Sequence, residues 1–268
     1  MRQLILISLT FLICTSHGPP NCYLYEQDQS CFAACKEAEK AITFPQGSKA
    51  SQEHFDKSIA LCPSFDYSYY EKAVPYAKRG LMKEWKIMID KAVAINPIEN
   101  LPFRGWYHFF FMHNYEAAIR DIEELEKLVN YDIGYTGDGM YHLNIMKALC
   151  WKGLGKIRLA ISIIEKQLEK EDQDIGTYDF LHLGVLYLEL QEYEKALSYL
   201  NKQTDFGDVS EVYYYKALSY KGLRDTSQFK LNLESALDYY KDGMSMSNSY
   251  RPLVDKIYLT DIQNAFMN

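Results

Sequence analysis

Apolar residues recur at the spacing of amphipathic helices along most of this chain. In residues 180–200, FLHLGVLYLELQEYEKALSYL, they return every three or four positions, as they do on one face of a helix. Two positions within this stretch are small instead of bulky, Gly184 and Ala196, twelve residues apart. We therefore predict two antiparallel helices that cross where these residues face each other, because larger side chains would push the axes beyond about 8–10 Å.

The same arrangement repeats at a nearly constant period. FDKSIALCP, which ends at Pro63, aligns residue for residue with IDKAVAINP, which ends at Pro97, 34 positions later. Farther along the chain, two longer stretches match at an offset of 36. The small residues that coincide in this second pair are Ala148 with Gly184 and Ala160 with Ala196. A single helical pair cannot bury its apolar face, so the repeated pairs are expected to stack on one another.

These residues resemble the tetratricopeptide repeat (TPR) family, whose repeat is a helix–turn–helix of about 34 residues. Two copies carry the pattern most fully, and they start at Asp66 and Thr177. Between them, the residues at the family's bulky, small and proline positions are Tyr69, Ala73, Tyr76, Ile89, Ala92, Pro97, Phe180, Leu183, Gly184, Tyr187, Ala196 and Leu200. Trp85 and Gln203 depart from the pattern. The resemblance implies an all-α fold, an α-solenoid that winds as a right-handed superhelix.

The resemblance also implies how the chain is organised. About six repeats are expected within residues 32–244, followed by a C-terminal capping helix in residues 245–268. The repeats are placed near 32–65, 66–98, 99–132, 141–174, 177–210 and 210–244. The first helix of the third repeat, FRGWYHFFF, is one residue out of step with the pattern. In the capping helix, Pro252 is expected in the first turn, with Leu253, Ile257 and Tyr258 on the last hairpin and Asp255, Lys256 and Asp261 facing water.

In similar repeats, fixed positions of the first helix line a groove that receives ligands. The resemblance implies a partner-binding groove at the corresponding positions of this chain, which are Tyr67, Tyr70, Lys78, His142, Lys152, Tyr178, Glu189, Tyr214 and Lys221. Tyrosines with scattered lysines suit an extended peptide or a partner's surface, because aromatic rings offer contact area at little loss of rotamer freedom. The alternative is that many of these side chains only pack between helices.

The first sixteen residues have the pattern of an export signal. Arg2 precedes an apolar run, residues 4–13, that is too short for the roughly 20 residues of a membrane span. The CTS that follows is a small-x-small site, so we expect cleavage after Ser16, which leaves residues 17–31 as an N-terminal segment. Lipid attachment at Cys14 is the alternative. No other apolar run is long enough to cross a bilayer, so the protein is expected in the periplasm, at the cell surface or in the medium.

Four of the six cysteines, Cys22, Cys31, Cys35 and Cys62, lie close together in the sequence, and export would place them in an oxidising compartment. Four cysteines allow three full pairings. The predicted helices place Cys31 and Cys35 at the start of one helix and Cys62 at the end of its antiparallel partner. We hypothesise that Cys62 bonds to Cys31 or Cys35 and that Cys22 takes the remaining thiol. Free buried thiols are the alternative, while the spacing within CFAAC disfavours a zinc site.

Charge and motif content narrow the possible functions. The net charge is −7, which argues against a nucleic-acid partner, since neutralising phosphates requires clustered Lys and Arg. HExxH, GxSxG, GxxxxGK[ST] and GxGxxG patterns are missing from the sequence, so we predict no metal, no cofactor and no catalytic residue. The prediction is a non-catalytic scaffold that binds a protein or an extended peptide. The alternatives are a lipid-anchored envelope protein with an assembly or structural role, and an enzyme whose site is assembled from distant residues.

Overall fold

The computed structural model describes residues 18–170, 175–248 and 252–267, and within these ranges the elements are helical. A short 3-10 helix, Cys22–Tyr25, precedes thirteen α helices. Their bounds are α1 Gln29–Ala41, α2 Lys49–Leu61, α3 Asp66–Lys78, α4 Met82–Ile95, α5 Pro97–Phe110, α6 Tyr115–Leu128, α7 Leu143–Gly153, α8 Ile157–Leu168, α9 Asp179–Glu189, α10 Tyr193–Phe206, α11 Ser210–Gly222, α12 Thr226–Lys241 and α13 Leu259–Met267. The predicted all-α fold, six helical pairs and a final helix, is confirmed. The predicted export signal, with Cys14, lies outside the described residues.

The chain divides inside α5 into two compact units, unit 1 up to Arg104 and unit 2 from Gly105 onward. In unit 1, α1 pairs with α2, α3 pairs with α4, and α2 also packs on α3. In unit 2, the pairs are α7 with α8, α9 with α10 and α11 with α12, and each pair contacts the next. Stacking therefore joins consecutive hairpins within each unit, as a repeat that cannot bury its own apolar face requires. None of the helices in the described ranges combines the length and the apolar character that crossing a membrane needs.

The close crossing predicted from small residues lies between α9 and α10. A Cβ added to Gly184 would lie 2.7 Å from the Cγ of Leu200 and 3.2 Å from the carbonyl oxygen of Ala196. The two helices therefore approach with nothing but the glycine hydrogens at the contact. Ala148 and Ala160, their counterparts in α7 and α8, are also fully buried.

The third repeat is one residue out of step with the repeat pattern. Its small residue is Gly105, whereas the pattern places a small residue at the next position, which is Trp106. A Cβ added to Gly105 would lie 3.3 Å from the Cβ of Asp121 and 3.5 Å from the carbonyl oxygen of Ala118, both on α6. Glycine thus occupies the crossing point of this hairpin, one position earlier than the repeat pattern expects.

Both predicted disulfides are present, and they resolve the pairing that the sequence leaves open. Cys31 bonds to Cys62 and Cys22 bonds to Cys35, with Cα–Cα distances of 4.9 Å and 5.5 Å. All four cysteines are buried in one cluster with Phe55 and several alanines of α1. The first bond joins α1 to Cys62, the residue directly after α2, and the second ties the 3-10 helix to α1. Unit 1 is therefore covalently closed at its first hairpin.

The C-terminal capping helix is shorter than the sequence predicts, and that prediction is wrong in two respects. The helix begins at Leu259, whereas residues 252–258 form a turn and irregular backbone. Asp255, which was expected to face water, has a side chain only 7% exposed. The reason is electrostatic, because Lys152 and His182 of unit 2 bind the carboxylate of Asp255. The backbone of Asp255 also takes a positive φ of 63°, which a helix does not allow.

Candidate peptide-binding surface

Unit 2 holds its own C-terminal segment, which we define as residues 252–258, against three first helices of its repeats. The contacts come from Lys152 on α7, His182 on α9, and Glu211 and Tyr215 on α11. We call the side of α7, α9 and α11 that carries these four residues the first-helix surface. Because first helices of successive repeats lie side by side in a stacked array, residues far apart in sequence converge there.

The side chain of Asp255 is the centre of this surface. The Nζ of Lys152 donates to one carboxylate oxygen, and the Nδ1 of His182 lies 2.7 Å from the other. The Oη of Tyr215 donates to the backbone carbonyl of Asp255 at 3.0 Å. Lys152 also pairs with Glu189 at 3.0 Å, which gives the lysine two acidic partners. A carboxylate enclosed in this way loses hydrogen bonds to water. It gains hydrogen bonds from charged side chains that are held in fixed positions.

The pKa values of this cluster follow from burial and from its opposite charges. Burial by itself would raise the pKa of Asp255, but Lys152 and His182 outweigh it and lower that pKa to about 2. Burial would lower the pKa of Lys152, but Asp255 and Glu189 outweigh it and raise that pKa above its ordinary value. Both groups are therefore charged at neutral pH, and the pair holds together as an ion pair.

Glu211 binds the backbone both within the segment and before it. Its carboxylate accepts the backbone N–H of Met246 at 3.0 Å and that of Ile257 at 3.4 Å. Burial is the main cause that raises the pKa of Glu211, and these backbone N–H groups oppose it. Lys256 donates from its Nζ to the carbonyl oxygen of Met246. Side chains of unit 2 thus satisfy backbone groups that a helix or a strand would otherwise pair.

Apolar side chains on either side of Asp255 anchor the segment. Leu253 and Ile257 are 4% and 2% exposed. Ile257 lies in a buried cluster with residues of α11, α12 and α13, which are Ala217, Leu233, Ala236, Ile262 and Ala265. Leu253, Asp255 and Ile257 therefore have buried side chains, and they are presented on a turn in which the N–H of Lys256 donates to the carbonyl of Leu253 at 3.3 Å.

In unit 1, a separate cavity of about 370 Å³ lies beside α3. It is lined by residues 18–21 of the N-terminal segment and by aromatic and polar side chains, among them Tyr67 and Tyr70. The Oη of Tyr67 donates to the carbonyl oxygen of Gly18 at 3.2 Å. Burial, and then the charge of Glu71, raises the pKa of Tyr67 well above its ordinary value. The tyrosine is therefore a neutral donor that holds extended backbone in place.

Solved structures resemble this arrangement, although no protein-family model and no curated protein matches the sequence. The crystal structure of PilW, described as a widely conserved type IV pilus biogenesis factor, superposes with a TM-score of 0.63 at 12% identity. That match covers 87% of this chain and 98% of PilW. PilF of Pseudomonas aeruginosa superposes with a TM-score of 0.61 at 16% identity, over 79% of this chain and 94% of PilF.

A third solved structure carries the repeat in its description. YrrB, described as a TPR protein with an unusual peptide-binding site, superposes with a TM-score of 0.55 at 18% identity. The match covers 72% of this chain and 95% of YrrB. The chain has the tetratricopeptide-repeat fold. Its helical pairs are therefore TPR hairpins.

Three of the predicted groove residues of unit 2 lie at or beside the C-terminal segment. Lys152 and Glu189 form the ion-paired network with Asp255. Tyr214 packs against the buried cluster that contains Ile257, and burial, followed by the charge of Asp261, raises its pKa. These TPR positions therefore face a non-helical stretch of polypeptide in the folded protein.

The other predicted groove residues of unit 2 have different surroundings. His142 is buried, caps the start of α7 through its Nδ1, and places its Nε2 2.8 Å from Asp132. Burial is the main cause that lowers the pKa of His142. Tyr178 is the residue before α9 and is half-buried, and Lys221 is exposed with its Nζ 5.5 Å from the ring centre of Phe229.

In unit 1, the predicted groove residues are unequally accessible. Tyr70 is almost fully buried and its ring lies 4.7 Å from that of Phe103, so it packs between α3 and α5. Lys78 is exposed and donates from its Nζ to Gln46 at 2.7 Å. Tyr67 contacts the N-terminal segment through the carbonyl oxygen of Gly18.

Sequence reasoning missed the residues that complete the first-helix surface. His182 stands alone among apolar residues in FLHLGVL, which is a usable signal of a buried polar group. Tyr215 lies next to the predicted Tyr214, on the same helix. Asp255 carries no local signal, because its partners lie in other repeats.

The depressed pKa values predict an acid-sensitive unit 2. Asp255 and Asp132 both have a pKa of about 2 in the folded protein, Asp132 because His142, Gly134 and Lys170 outweigh its burial. A carboxyl group with a depressed pKa stabilises the fold above its ordinary pKa of about 3.9, and this contribution is lost as the pH falls through the folded value. We expect the free energy of unfolding of unit 2 to fall between about pH 4 and pH 2, by about 2 kcal/mol from Asp255 alone.

Urea denaturation at a series of pH values measures this dependence. An Asp255→Asn variant lacks the titrating group, so its stability should vary less across the same pH window. Identical pH dependence in the wild type and the variant would contradict the assignment.

Proposed function

We propose that this protein is an exported, non-catalytic scaffold that binds another protein or an extended peptide on the first-helix side of its TPR hairpins. The binding side chains include the predicted groove residues Lys78, Lys152, Tyr214 and Lys221. Binding occurs on hairpins that are already folded, so little conformational entropy is lost when a partner docks.

The observation that carries this proposal is the C-terminal segment itself. Residues 252–258 lie as turn and irregular backbone on the first helices of unit 2. Glu211 and Tyr215 hold them through backbone groups, and Lys152 and His182 hold them through the side chain of Asp255. The surface thus has the donors, acceptors and apolar sites that binding an extended polypeptide requires. YrrB, one of the similar structures, is described as having a peptide-binding site.

Other features support export and a binding role. One disulfide closes the first hairpin and a second ties the 3-10 helix to it, and disulfides persist in oxidising compartments. The apolar run and small-x-small site in residues 1–16 fit an export signal. The densely charged cluster of Lys152, His182 and Asp255 is covered by the chain and internally paired, which favours a binding role over turnover of a substrate.

Site-specific photo-crosslinking in cells tests the binding side. A photoreactive residue at Lys78 in unit 1, and separately one at Lys221 in unit 2, is expected to capture a specific partner, because each position is exposed and lies at a TPR groove position. The matched control is Lys195, which is exposed on α10, the second helix of its hairpin. Equal capture from Lys195, or no capture from Lys78 and Lys221, would contradict the proposal.

The mass of the mature protein tests the export component and separates it from the lipid-anchored alternative. Cleavage after Ser16 gives a mature chain that begins at His17, whereas lipid attachment gives a chain that begins at a modified Cys14. We expect the first of these masses. An uncleaved chain beginning at Met1 would refute export through this signal.

A further inference from the structure

The C-terminal segment is bound by unit 2 as a ligand would be bound. Its buried side chains alternate, with Leu253 and Ile257 in apolar sites and Asp255 between them. Glu211 accepts the backbone N–H of Ile257, and Tyr215 donates to the backbone carbonyl of Asp255. The N–H of Lys256 closes a turn on the carbonyl of Leu253, and the carbonyl of Tyr258 accepts from α13. The surface therefore encloses an aliphatic residue, an aspartate and a second aliphatic residue at every other position, and its Glu211 also lies 4.0 Å from the Nζ of Lys256.

The carboxylate site is specific for aspartate at the centre of that pattern. Its two donors, Lys152 and His182, stand 103 and 73 residues before Asp255 in the sequence, and they belong to different TPR hairpins. The lysine side chain is 11% exposed and the histidine is fully buried, so both donors are fixed by packing. An asparagine would fit the space but would leave the lysine without one of its two charged partners.

The segment lies outside the helical pairs, and α11 and α12 contact each other directly without it. The helix α13 that follows it has nine residues and buries Ile262 and Ala265, while Phe266 and Met267 remain 45% and 76% exposed. When Asp255 departs, Lys152 keeps its ion pair with Glu189 at 3.0 Å. The buried lysine would therefore keep a counter-charge. An unpaired buried charge is the main cost of breaking a buried ion pair.

We infer that the first-helix surface of unit 2 is a receptor for a partner protein that carries an aliphatic–x–Asp–x–aliphatic segment. Residues 253–257 occupy this receptor in the resting protein, and the partner's segment displaces them. The inference rests on the proposed binding function and deepens it, since it names the chemistry that the partner must present. A tethered segment acts at an effective concentration of about millimolar, so occupancy by the chain itself excludes weak ligands.

A fluorescent peptide of sequence PLVDKIY, identical to residues 252–258, is the probe. Fluorescence anisotropy measures its binding to the full-length wild type and to a full-length Asp255→Asn variant, whose own segment is weakened. The variant is expected to bind the peptide at least tenfold more tightly than the wild type does. A matched peptide with asparagine in place of aspartate, PLVNKIY, should bind the variant at least tenfold more weakly. Equal affinity of wild type and variant, or of the two peptides, overturns the inference.

Hydrogen exchange on the wild type gives a second readout that does not depend on how the variant folds. Millimolar PLVDKIY should speed exchange of the backbone amides of Met246 and Ile257, whose N–H groups Glu211 accepts, and PLVNKIY should not. Unchanged exchange with both peptides overturns the inference. Sedimentation of the wild type should show monomers, because a dimer that exchanges C-terminal segments would assign the receptor to a second copy of this chain.

The two proposals fail in different ways. If the peptides do not bind but crosslinking from Lys78 and Lys221 remains specific, the proposed scaffold function is retained and the proposed aspartate receptor is rejected. If crosslinking is unspecific, the scaffold function itself is lost.

Discussion

Replacing Cys31 and Cys62 together by alanine is expected to lower the free energy of unfolding of unit 1 by about 3–4 kcal/mol. Their disulfide spans a sequence separation of 31 residues, and its loss returns the conformational freedom of that loop to the unfolded chain. The bond joins the start of α1 to the residue that ends α2, so the first hairpin bears the loss. Hydrogen exchange of the amides in α1 and α2 measures it, because that method reports on each unit separately.

Two controls make this expectation specific. Exchange in α9 and α10, which belong to unit 2, should remain unchanged. The Cys22–Cys35 bond closes a separation of only 13 residues, so the corresponding double alanine variant should lose somewhat less, about 3 kcal/mol. If amides of α1 and α2 were equally protected in the wild type and in the Cys31/Cys62 variant, the stabilising role of this bond would be disproved.

Replacing Gly184 by leucine is expected to lower the free energy of unfolding of unit 2 by about 3 kcal/mol. A single added Cβ would already lie 2.7 Å from Leu200 and 3.2 Å from the backbone of Ala196. Leu200 is fully buried, so its side chain has no space into which to move. The helices α9 and α10 must separate to admit the leucine, and this exposes apolar surface on both. Urea denaturation followed by circular dichroism measures the loss.

Ser198→Leu on α10 is the matched control for this variant. The same residue type is introduced into the same hairpin, but at an exposed position, so the stability should change by less than about 0.5 kcal/mol. Gly184→Ala should fall between the two, because alanine favours the helix by roughly 1 kcal/mol but meets the same contact. A Gly184→Leu protein as stable as the Ser198→Leu protein would show that the two helices do not cross closely.

The turns within the hairpins show how far sequence reasoning extends. The turns after α3 and α7 contain Gly80 and Gly155, each with a positive φ, as a helix that ends in a left-handed residue favours. The equivalent turns after α9 and α11 place Gln191 and Arg224 at φ of 60° and 62°. Tertiary packing imposes the same backbone on residues that do not prefer it, so residue type alone could not locate these turns.

The candidate site was predictable only in part, and for a similar reason. Family positions identified Lys152 and Glu189, because the first helix of each repeat has a constant orientation in the stack. His182 was detectable as a lone polar residue in an apolar stretch. His142 occupies a groove position in the pattern, yet the local loop gives it a capping role and the carboxylate of Asp132 as a partner.

The sequence by itself determined the helical pairs, the close crossing at Gly184 and Ala196, and the two cysteines that Cys62 could reach. Each of these depends on contacts within one hairpin, where the residues are near in sequence and a periodic pattern reports on them. Only the tertiary structure decided which cysteine pairs with Cys62 and where Asp255 lies. The partners of Asp255 stand 73 and 103 residues away, and no local pattern records a charge that is matched across that distance. Stacking of folded hairpins brings those charges together, and so it sets the chemistry of the surface.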